Sequence, residues 1–121
     1  MSRHHGAISE SEEVSLGELL RDLRDKQGLA LWQVAAQAEM DSTLLSKIEL
    51  GHRLPTQKQA ELLARFFHVP VGQIEGRRIT ARFWKEYAEN PAVAEAVQKI
   101  QETAPAYIVN KSVNKRRTGS R

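Results

Sequence analysis

Hydrophobic residues near the start of the chain recur at helical spacing. Four leucines form one apolar stripe, and charged residues occupy the opposite face of the same segment. Ser15 stands at the position of an N-cap, and Glu18 follows three residues later, which is the pattern of a capping box. We therefore predict a first helix that begins near Leu16 and ends before Gly28. The leucines of the stripe are Leu16, Leu19, Leu20 and Leu23.

Two shorter helices follow, separated by a break at residues 39–41. The first covers residues 31–38 and turns small apolar residues inward, which lets a neighbouring helix approach closely. Asp41 is a suitable N-cap for the second, which runs from Ser42 to about Leu50 and buries Leu45 and Ile48. Two short helices joined by a tight turn form a helix-turn-helix pattern. The inward residues of the first are Val34, Ala35 and Ala38.

The third helix has a polar outer face. If Leu45 and Ile48 point inward, the hydroxyl residues and the lysine of this helix must point outward. A helix that enters a DNA major groove needs small hydrogen-bonding side chains near its N-terminus and a cation that reaches a base or a phosphate. The outer face meets these requirements with Ser42, Thr43, Ser46 and Lys47.

The rest of the chain predicts three more helices. Thr56 caps a fourth that extends to about His68 and packs through Ala60, Leu63, Ala64 and Phe67. A fifth covers residues 71–89, and Pro91 opens a sixth that ends near Thr103. These last two helices carry more apolar surface than a small core needs, so we predict a homodimer interface here; packing against the body of the same chain is the alternative. The interface residues are Ile79, Phe83, Trp84, Tyr87, Val93 and Val97.

Charge is distributed unevenly along the 121 residues. Residues 1–110 carry 13 Lys and Arg and 15 Asp and Glu, whereas residues 111–121 carry five basic residues and no acid. The formal net charge of +3 therefore comes from the tail. Such a tail can contact phosphate, but solvated basic ends are common. We expect four segments: 1–14 flexible, 15–70 the helix-turn-helix core, 71–104 the dimerisation helices, and 105–121 a basic, disordered tail.

The segment LALWQVAAQAEMDSTLLSKIELGHRLP, residues 29–55, resembles the helix-turn-helix of the lambda repressor-like family, also called the Cro/C1 or XRE type. The most specific part is SKIELGHRLP, and the similarity extends from residue 16 to residue 70. The resemblance implies an all-α fold with a five-helix DNA-binding core, here with one additional C-terminal helix. It also implies a dimer that binds an inverted repeat in double-stranded DNA and controls transcription.

The resemblance places the base-reading positions on Ser42, Thr43 and Lys47, with Leu44 and Ser46 on the flank of the same face. Leu44 then either contacts a thymine methyl group or packs against helix two or a partner subunit. For Ser42 and Thr43 the alternative role is helix capping, and for Lys47 it is a solvated surface position. Glu49 is expected to tie the end of helix three to its neighbours, because DNA repels a carboxylate.

Phosphate contacts form the sequence-independent part of such an interface. Arg53 lies in the loop after helix three, and the helix capped by Thr56 points free backbone N–H groups toward a phosphate. Gln57 and Lys58 follow in its first turn. Leu31 and Trp32 stand where the family has a DNA-contacting glutamine, so that contact is either missing or made by Gln33, which we include in the set. These positions complete the predicted phosphate-binding set.

The absence of two kinds of sequence signal narrows the possible functions: catalytic or metal-binding motifs, and membrane or secretion signals. Four histidines make no metal-ligand spacing, and the chain has no glycine-rich phosphate loop and no nucleophile elbow. We expect no catalytic residues, no metal and no cofactor. With no apolar run of membrane-spanning length and no secretory signal, we expect a cytoplasmic protein with no membrane association.

The alternative function is an antitoxin or protein-interaction module of a toxin-antitoxin or restriction-modification system, whose C-terminal helices bind a protein partner.

The turn before helix three also differs from the pattern of the lambda repressor-like family. Glu39 occupies a position that the family usually gives to glycine. A left-handed backbone at this position costs free energy for any residue with a Cβ atom. We therefore expect a strained turn if the family's geometry is kept.

Overall fold

The computed structural model describes the backbone of residues 14–119 and the side chains of residues 14–108. Every regular element in this part of the chain is an α-helix, which confirms the all-α fold class. Apart from Val14, the predicted flexible segment 1–14 lies outside the described residues. The helices are α1 (Leu16–Lys26), α2 (Leu31–Gln37), α3 (Ser42–Glu49), α4 (Gln57–Phe67), α5 (Val71–Tyr87) and α6 (Val93–Gly119).

Side-chain caps begin three of these helices at the residues that the sequence indicates. The Ser15 hydroxyl accepts the Glu18 N–H at 3.2 Å, and the Glu18 carboxylate accepts the Ser15 N–H at 3.1 Å. Asp41 Oδ1 accepts the Leu44 N–H at 2.8 Å and so starts α3. Thr56 caps α4 through the Gln59 N–H at 3.0 Å. Each cap satisfies a backbone donor that the first helical turn leaves free, which fixes where the helix starts.

One hydrophobic core unites α1 to α4 and the first turn of α5. All of the inward residues predicted for α2, α3 and α4 belong to this core. Ile74 is the buried core residue that α5 contributes. Several members are completely buried, including Leu45 and Leu63 at 0% exposure. The core residues are Leu16, Leu20, Val34, Ala35, Ala38, Leu45, Ile48, Ala60, Leu63, Ala64, Phe67 and Ile74.

Two turns between the helices use left-handed backbone at residues other than glycine. Glu39, between α2 and α3, has φ 59°, and His68, at the end of α4, also has φ 59°. A Cβ atom makes this conformation unfavourable by roughly 1–2 kcal/mol. The expected strain at Glu39 is therefore present. Gly28 and Gly51 end α1 and α3 with positive φ, which glycine adopts without this cost.

The chain divides into two compact units, one ending at Lys85 and the other beginning at Glu86. The boundary falls inside α5 rather than at residue 70, where the sequence suggested a division. In the first unit, Arg77 Nε donates to the Val14 carbonyl oxygen at 2.9 Å and so connects α5 to the residue before the α1 cap. The first unit contains the whole core described above.

Helix α6 starts later and ends later than the sequence suggested. The Asn90 side chain accepts the Ala92 N–H at 2.8 Å, so residues 90–92 form a turn and the helix begins at Val93. It then continues through Pro105 to Gly119, so the predicted end near Thr103 is wrong, whereas the predicted disorder of residues 105–121 stays a prediction. Pro105 removes one backbone donor, and the helix continues past it although many of the following residues, among them Ile108, Val109 and Val113, are poor helix formers.

Candidate nucleic-acid interface

Helix α3 has one buried and one solvent-facing side. Leu45 and Ile48 are 0% and 1% exposed, and they fix the rotation of the helix about its own axis. Thr43 and Lys47 are consequently exposed, whereas Ser42 and Ser46 are half-buried. The structure thus brings the four polar residues of the predicted base-reading set onto one short helix, with hydroxyl groups in its first turn and an ammonium group near its end.

Leu44 differs from these four residues. It is half-buried and packs against the hydrophobic core. This placement matches the packing alternative for Leu44 rather than an outward contact with a thymine methyl group. Leu50, by contrast, is the C-cap of α3 and is 61% exposed.

A bidentate ion pair fastens the end of α3 to α1. Arg24 Nε and Nη2 donate to the two carboxylate oxygens of Glu49 at 2.8 and 3.0 Å. Arg24 Nη1 also donates to the carbonyl oxygen of Leu29, at 3.0 Å. The hydrogen bond to Glu49 is the main reason that the pKa of Arg24 rises above its ordinary value, although burial opposes the rise. Glu49 therefore has the structural role expected for it.

Gly17 allows α1 to lie directly against the end of α3. A Cβ atom at this position would be 2.6 Å from the carbonyl oxygen of Ile48, and it would also overlap the carbonyl oxygen of Glu49. Neither oxygen can move without displacing the last turn of α3. The absence of a side chain at Gly17 and the ion pair of Arg24 with Glu49 thus determine the position of the same helix end.

The residues predicted to contact phosphate lie around the start of α4. Arg53 is exposed in the loop after α3, and Thr56, Gln57 and Lys58 are exposed at the capped N-terminus of α4. The Gln57 amide donates to Glu61 at 3.4 Å. Lys58 Nζ is 3.8 Å from the Glu39 carboxylate, with both side chains largely in solvent. The Lys58 ammonium group is therefore close to the acidic side chain of the turn that precedes α3.

The first turn of α2 carries apolar residues where the resemblance led us to look for a polar contact. Leu31 is half-buried against the core, and Trp32 is 66% exposed. Gln33 is half-buried, and its side-chain oxygen accepts the Ala30 N–H at 2.8 Å. This side chain acts as the cap of α2, and its amide NH₂ is the group that can still donate to a phosphate.

The pair formed by α2 and α3, with its turn at residues 38–41, can be compared with known domains. Residues 15–75 match the family described as a helix-turn-helix domain, which is just over half of the chain. The chain belongs to the helix-turn-helix domain family. No curated protein and no solved structure matches it. The matched range includes α1 to α4, the loop that contains Arg53 and the start of α5.

Helix-turn-helix domains typically bind DNA through the second helix of the motif. Three residues that position α3 or cap α4 in this helix-turn-helix domain were not singled out from the sequence: Arg24, Gly17 and Gln59. A glycine inside an amphipathic helix signals a close approach, so Gly17 could have been found. Gln59 completes the capping-box spacing after Thr56. The partnership of Arg24 with Glu49 joins residues 25 positions apart, and no local pattern reveals it.

The predicted dimer residues are divided between the two compact units. Ile79 is 56% exposed, Trp84 and Tyr87 are each 43% exposed, and Phe83 is half-buried. The Phe83 and Trp84 rings meet edge to face with centroids 5.2 Å apart. In α6, Val93 and Val97 are half-buried. The role of these six residues as an interface stays a prediction.

The described residues offer neither a metal-binding cluster nor a membrane-spanning helix. Among these residues, no three or more histidine, aspartate or glutamate side chains are grouped so that they could hold a metal ion. Within the same part of the chain, no helix combines the length and the apolar content needed to cross a bilayer.

Proposed function

We propose that the protein is a sequence-specific regulator of transcription that binds double-stranded DNA with α3 in the major groove. Ser42, Thr43, Ser46 and Lys47 read base edges in this proposal, and Leu44 supports them from the core side. Hydroxyl groups donate to and accept from base edges, and a lysine ammonium group donates to guanine. The protein acts as a repressor or autoregulator of the Cro/C1 type, without a cofactor.

The observation that carries this proposal is the orientation of α3. Burial of Leu45 and Ile48 at 0% and 1% exposure leaves Thr43 and Lys47 on the open side. A reading helix must be rigid, because base discrimination depends on hydrogen-bond geometry. The contacts of Gly17 and of Arg24 with the end of α3 supply this rigidity.

The phosphate contacts surround the reading helix in the proposed complex. Arg53 and Lys58 provide charge, and the α4 N-terminus at Thr56 and Gln57 provides backbone N–H groups. The Gln33 amide contributes from α2. Because residues 1–110 carry slightly more acidic than basic residues, affinity depends on where these cations lie rather than on the overall charge.

A dimer completes the proposed regulator. Two copies related by a two-fold axis match the two halves of an inverted-repeat operator. Exposed and half-buried apolar residues of α5 and α6, among them Ile79, Trp84 and Val97, provide the surfaces that join the copies. The protein works in the cytoplasm in this proposal, where its operator is accessible.

A second candidate function uses the same apolar residues differently. Exposed Ile79 and Trp84 on α5 favour a protein-interaction module, such as an antitoxin that holds its toxin through the C-terminal helices. An antitoxin of this kind also binds its own operator, so the two functions share α3. A gene for a toxin next to the gene for this chain would favour the second candidate.

The experiment that tests the proposed function is binding of the purified protein to a labelled DNA fragment from upstream of its own gene. We expect saturable binding that survives an excess of random competitor DNA at two salt concentrations. Binding that disappears with competitor or with a modest increase in salt would show that the protein is attracted to DNA only by non-specific electrostatics. That result would reject the proposal.

A further inference from the structure

Helix α6 carries a regular apolar face. Its five apolar residues are spaced alternately four and three positions apart, which is the repeat of a coiled-coil seam. No described residue of α6 is buried, and within the face Ile100 is 52% and Tyr107 is 65% exposed. We call this face the α6 seam. It consists of Val93, Val97, Ile100, Ala104 and Tyr107.

A helix with this sequence needs a partner to be stable. Single helices in water are marginal, and most helical stability in proteins comes from packing of an apolar face. Pro105 weakens α6 further because it cannot donate a backbone hydrogen bond. We infer that the α6 seam pairs with the α6 seam of a second copy, antiparallel, with the two-fold axis at Ile100. This inference rests on the proposed function in that it gives the proposed dimer its interface.

The sizes of the seam residues favour the antiparallel direction. With Ile100 on the axis, Val93 lies across from Tyr107 and Val97 lies close to Ala104, so each small residue meets a larger one. In a parallel pair, Tyr107 would meet Tyr107 and Ala104 would meet Ala104. That arrangement crowds one layer and leaves a void in another, and protein interiors tolerate neither.

The distribution of charge along the sequence favours the same direction. Residues 111–117 carry four basic residues and no acid. A parallel pair would bring the two basic C-terminal segments to the same end of the pair, whereas an antiparallel pair keeps them at opposite ends and avoids that repulsion.

Pro105 is compatible with this pairing. It is exposed, and in the repeat it occupies the same position as Gln98, outside the seam. Its ring therefore does not enter the paired surface. The same position makes Gln98 a control site, because a substitution there changes the outer side of α6 and leaves the seam intact.

Cysteine cross-linking tests both the pairing and its direction, since the chain contains no cysteine. The variants are Val93→Cys, Tyr107→Cys, Ile100→Cys and the control Gln98→Cys, each treated with a short bismaleimide. We expect cross-linked dimer from Ile100→Cys alone and from the mixture of Val93→Cys with Tyr107→Cys. Val93→Cys alone and Tyr107→Cys alone should give no more dimer than the control.

Two results would overturn the inference. Cross-linking of Val93→Cys with itself, at the level of the mixture, would show a parallel pair. Dimer yields that equal the Gln98→Cys control for every variant would show that the seam has no partner copy.

A hydrodynamic measurement extends the test without relying on the cross-linker. We expect Ile100→Asp to raise the dissociation constant of the dimer at least tenfold in sedimentation equilibrium, while Gln98→Asp leaves it within a factor of about two. Equal dissociation constants for the two variants would contradict the inference. Ile100 lies outside the core, so circular dichroism of both variants should report a folded helix-turn-helix domain.

These measurements contain no DNA, so they separate this inference from the proposed function. Paired seams together with no operator binding would reject the DNA-binding proposal and retain the seam. Operator binding by a chain whose seam does not pair would reject the seam and retain the DNA-binding proposal.

Discussion

Arg24 and Glu49 join α1 to the end of α3 through two hydrogen bonds of 2.8 and 3.0 Å, with 15% and 7% of their side chains exposed. Loss of one member leaves the other as a shielded charge without its partner. We predict that Arg24→Ala lowers the free energy of unfolding by roughly 2–4 kcal/mol, measured by urea denaturation. Glu49→Ala should have a similar effect, and the double variant should lose less than the sum of the two.

Arg21→Ala is the matched control for this prediction. Arg21 lies on the same helix and faces Asp25 at 3.8 Å, but both side chains are more than half exposed. A surface pair of this kind contributes about 0–1 kcal/mol. Equal losses for Arg21→Ala and Arg24→Ala would show that the pair with Glu49 does not hold α3.

Gly17→Ala should destabilise the protein, although alanine is the better helix former. The added methyl group would lie 2.6 Å from the carbonyl oxygen of Ile48, so α1 and α3 would have to separate. We expect a loss of about 1–3 kcal/mol in thermal or urea unfolding, as for other overpacked sites. Gly76→Ala is the control, because no atom lies within 4 Å of its Cβ position. That variant should gain roughly 0.5–1 kcal/mol, and a gain for Gly17→Ala as well would contradict the close contact.

Glu39→Gly should affect stability and DNA binding together. Glycine relieves the strain of φ 59° and should raise the free energy of unfolding by roughly 0.5–1 kcal/mol after its own entropic cost. It also releases Lys58, 3.8 Å from the carboxylate, for a phosphate contact, so DNA affinity should increase. Glu39→Gln keeps the strain and removes the charge; it should increase affinity without the gain in stability. A decrease in DNA affinity for both variants would exclude competition between Glu39 and phosphate.

The ion pair of Glu75 with Arg78 should make part of the stability depend on pH. Arg78 donates to Glu75 at 2.8 and 2.7 Å, and this hydrogen bonding lowers the pKa of the Glu75 carboxyl below its ordinary value. A carboxyl whose pKa is lower in the folded state stabilises the protein above its unfolded pKa of about 4.3. That contribution disappears as the pH falls through the folded-state pKa.

Urea unfolding of the wild type and of Glu75→Gln at several pH values measures this contribution. The wild type should be the more stable of the two at pH 7, and the difference should shrink as the pH falls below about 4.3. Arg78→Met should reduce the same difference by removing the donor. A gap between wild type and Glu75→Gln that stays constant down to pH 2 would exclude the ion pair as its cause.

Much of the fold follows from local sequence patterns. Ser15, Asp41 and Thr56 cap their helices because each side chain reaches the backbone N–H group three residues away, and this depends only on neighbouring positions. The inward direction of Leu45 and Ile48 follows from helical spacing in the same way. These local relationships were enough to indicate the polar face of α3.

The sequence did not reveal features that depend on distant residues. Arg24 looked like one of several charged residues on the outer face of α1, and only the folded chain brings it to Glu49. Leu44 is half-buried because the core extends beyond the two inward positions of α3. The continuation of α6 beyond Thr103 could not be predicted, because Pro105 and the many β-branched and small polar residues after it favour the end of a helix there.

The most direct test of the account compares operator binding by Thr43→Ala, Lys47→Ala and the control Arg65→Ala. Thr43 and Lys47 lie on the open side of α3, whereas Arg65 is an exposed cation in the last turn of α4, away from the capped start of that helix. We predict that each α3 variant weakens specific binding by roughly 1–3 kcal/mol, keeps the wild-type unfolding curve, and leaves binding to random DNA much less affected. Arg65→Ala should bind the operator like the wild type. Unchanged operator affinity in both α3 variants would show that α3 is not the helix that reads DNA.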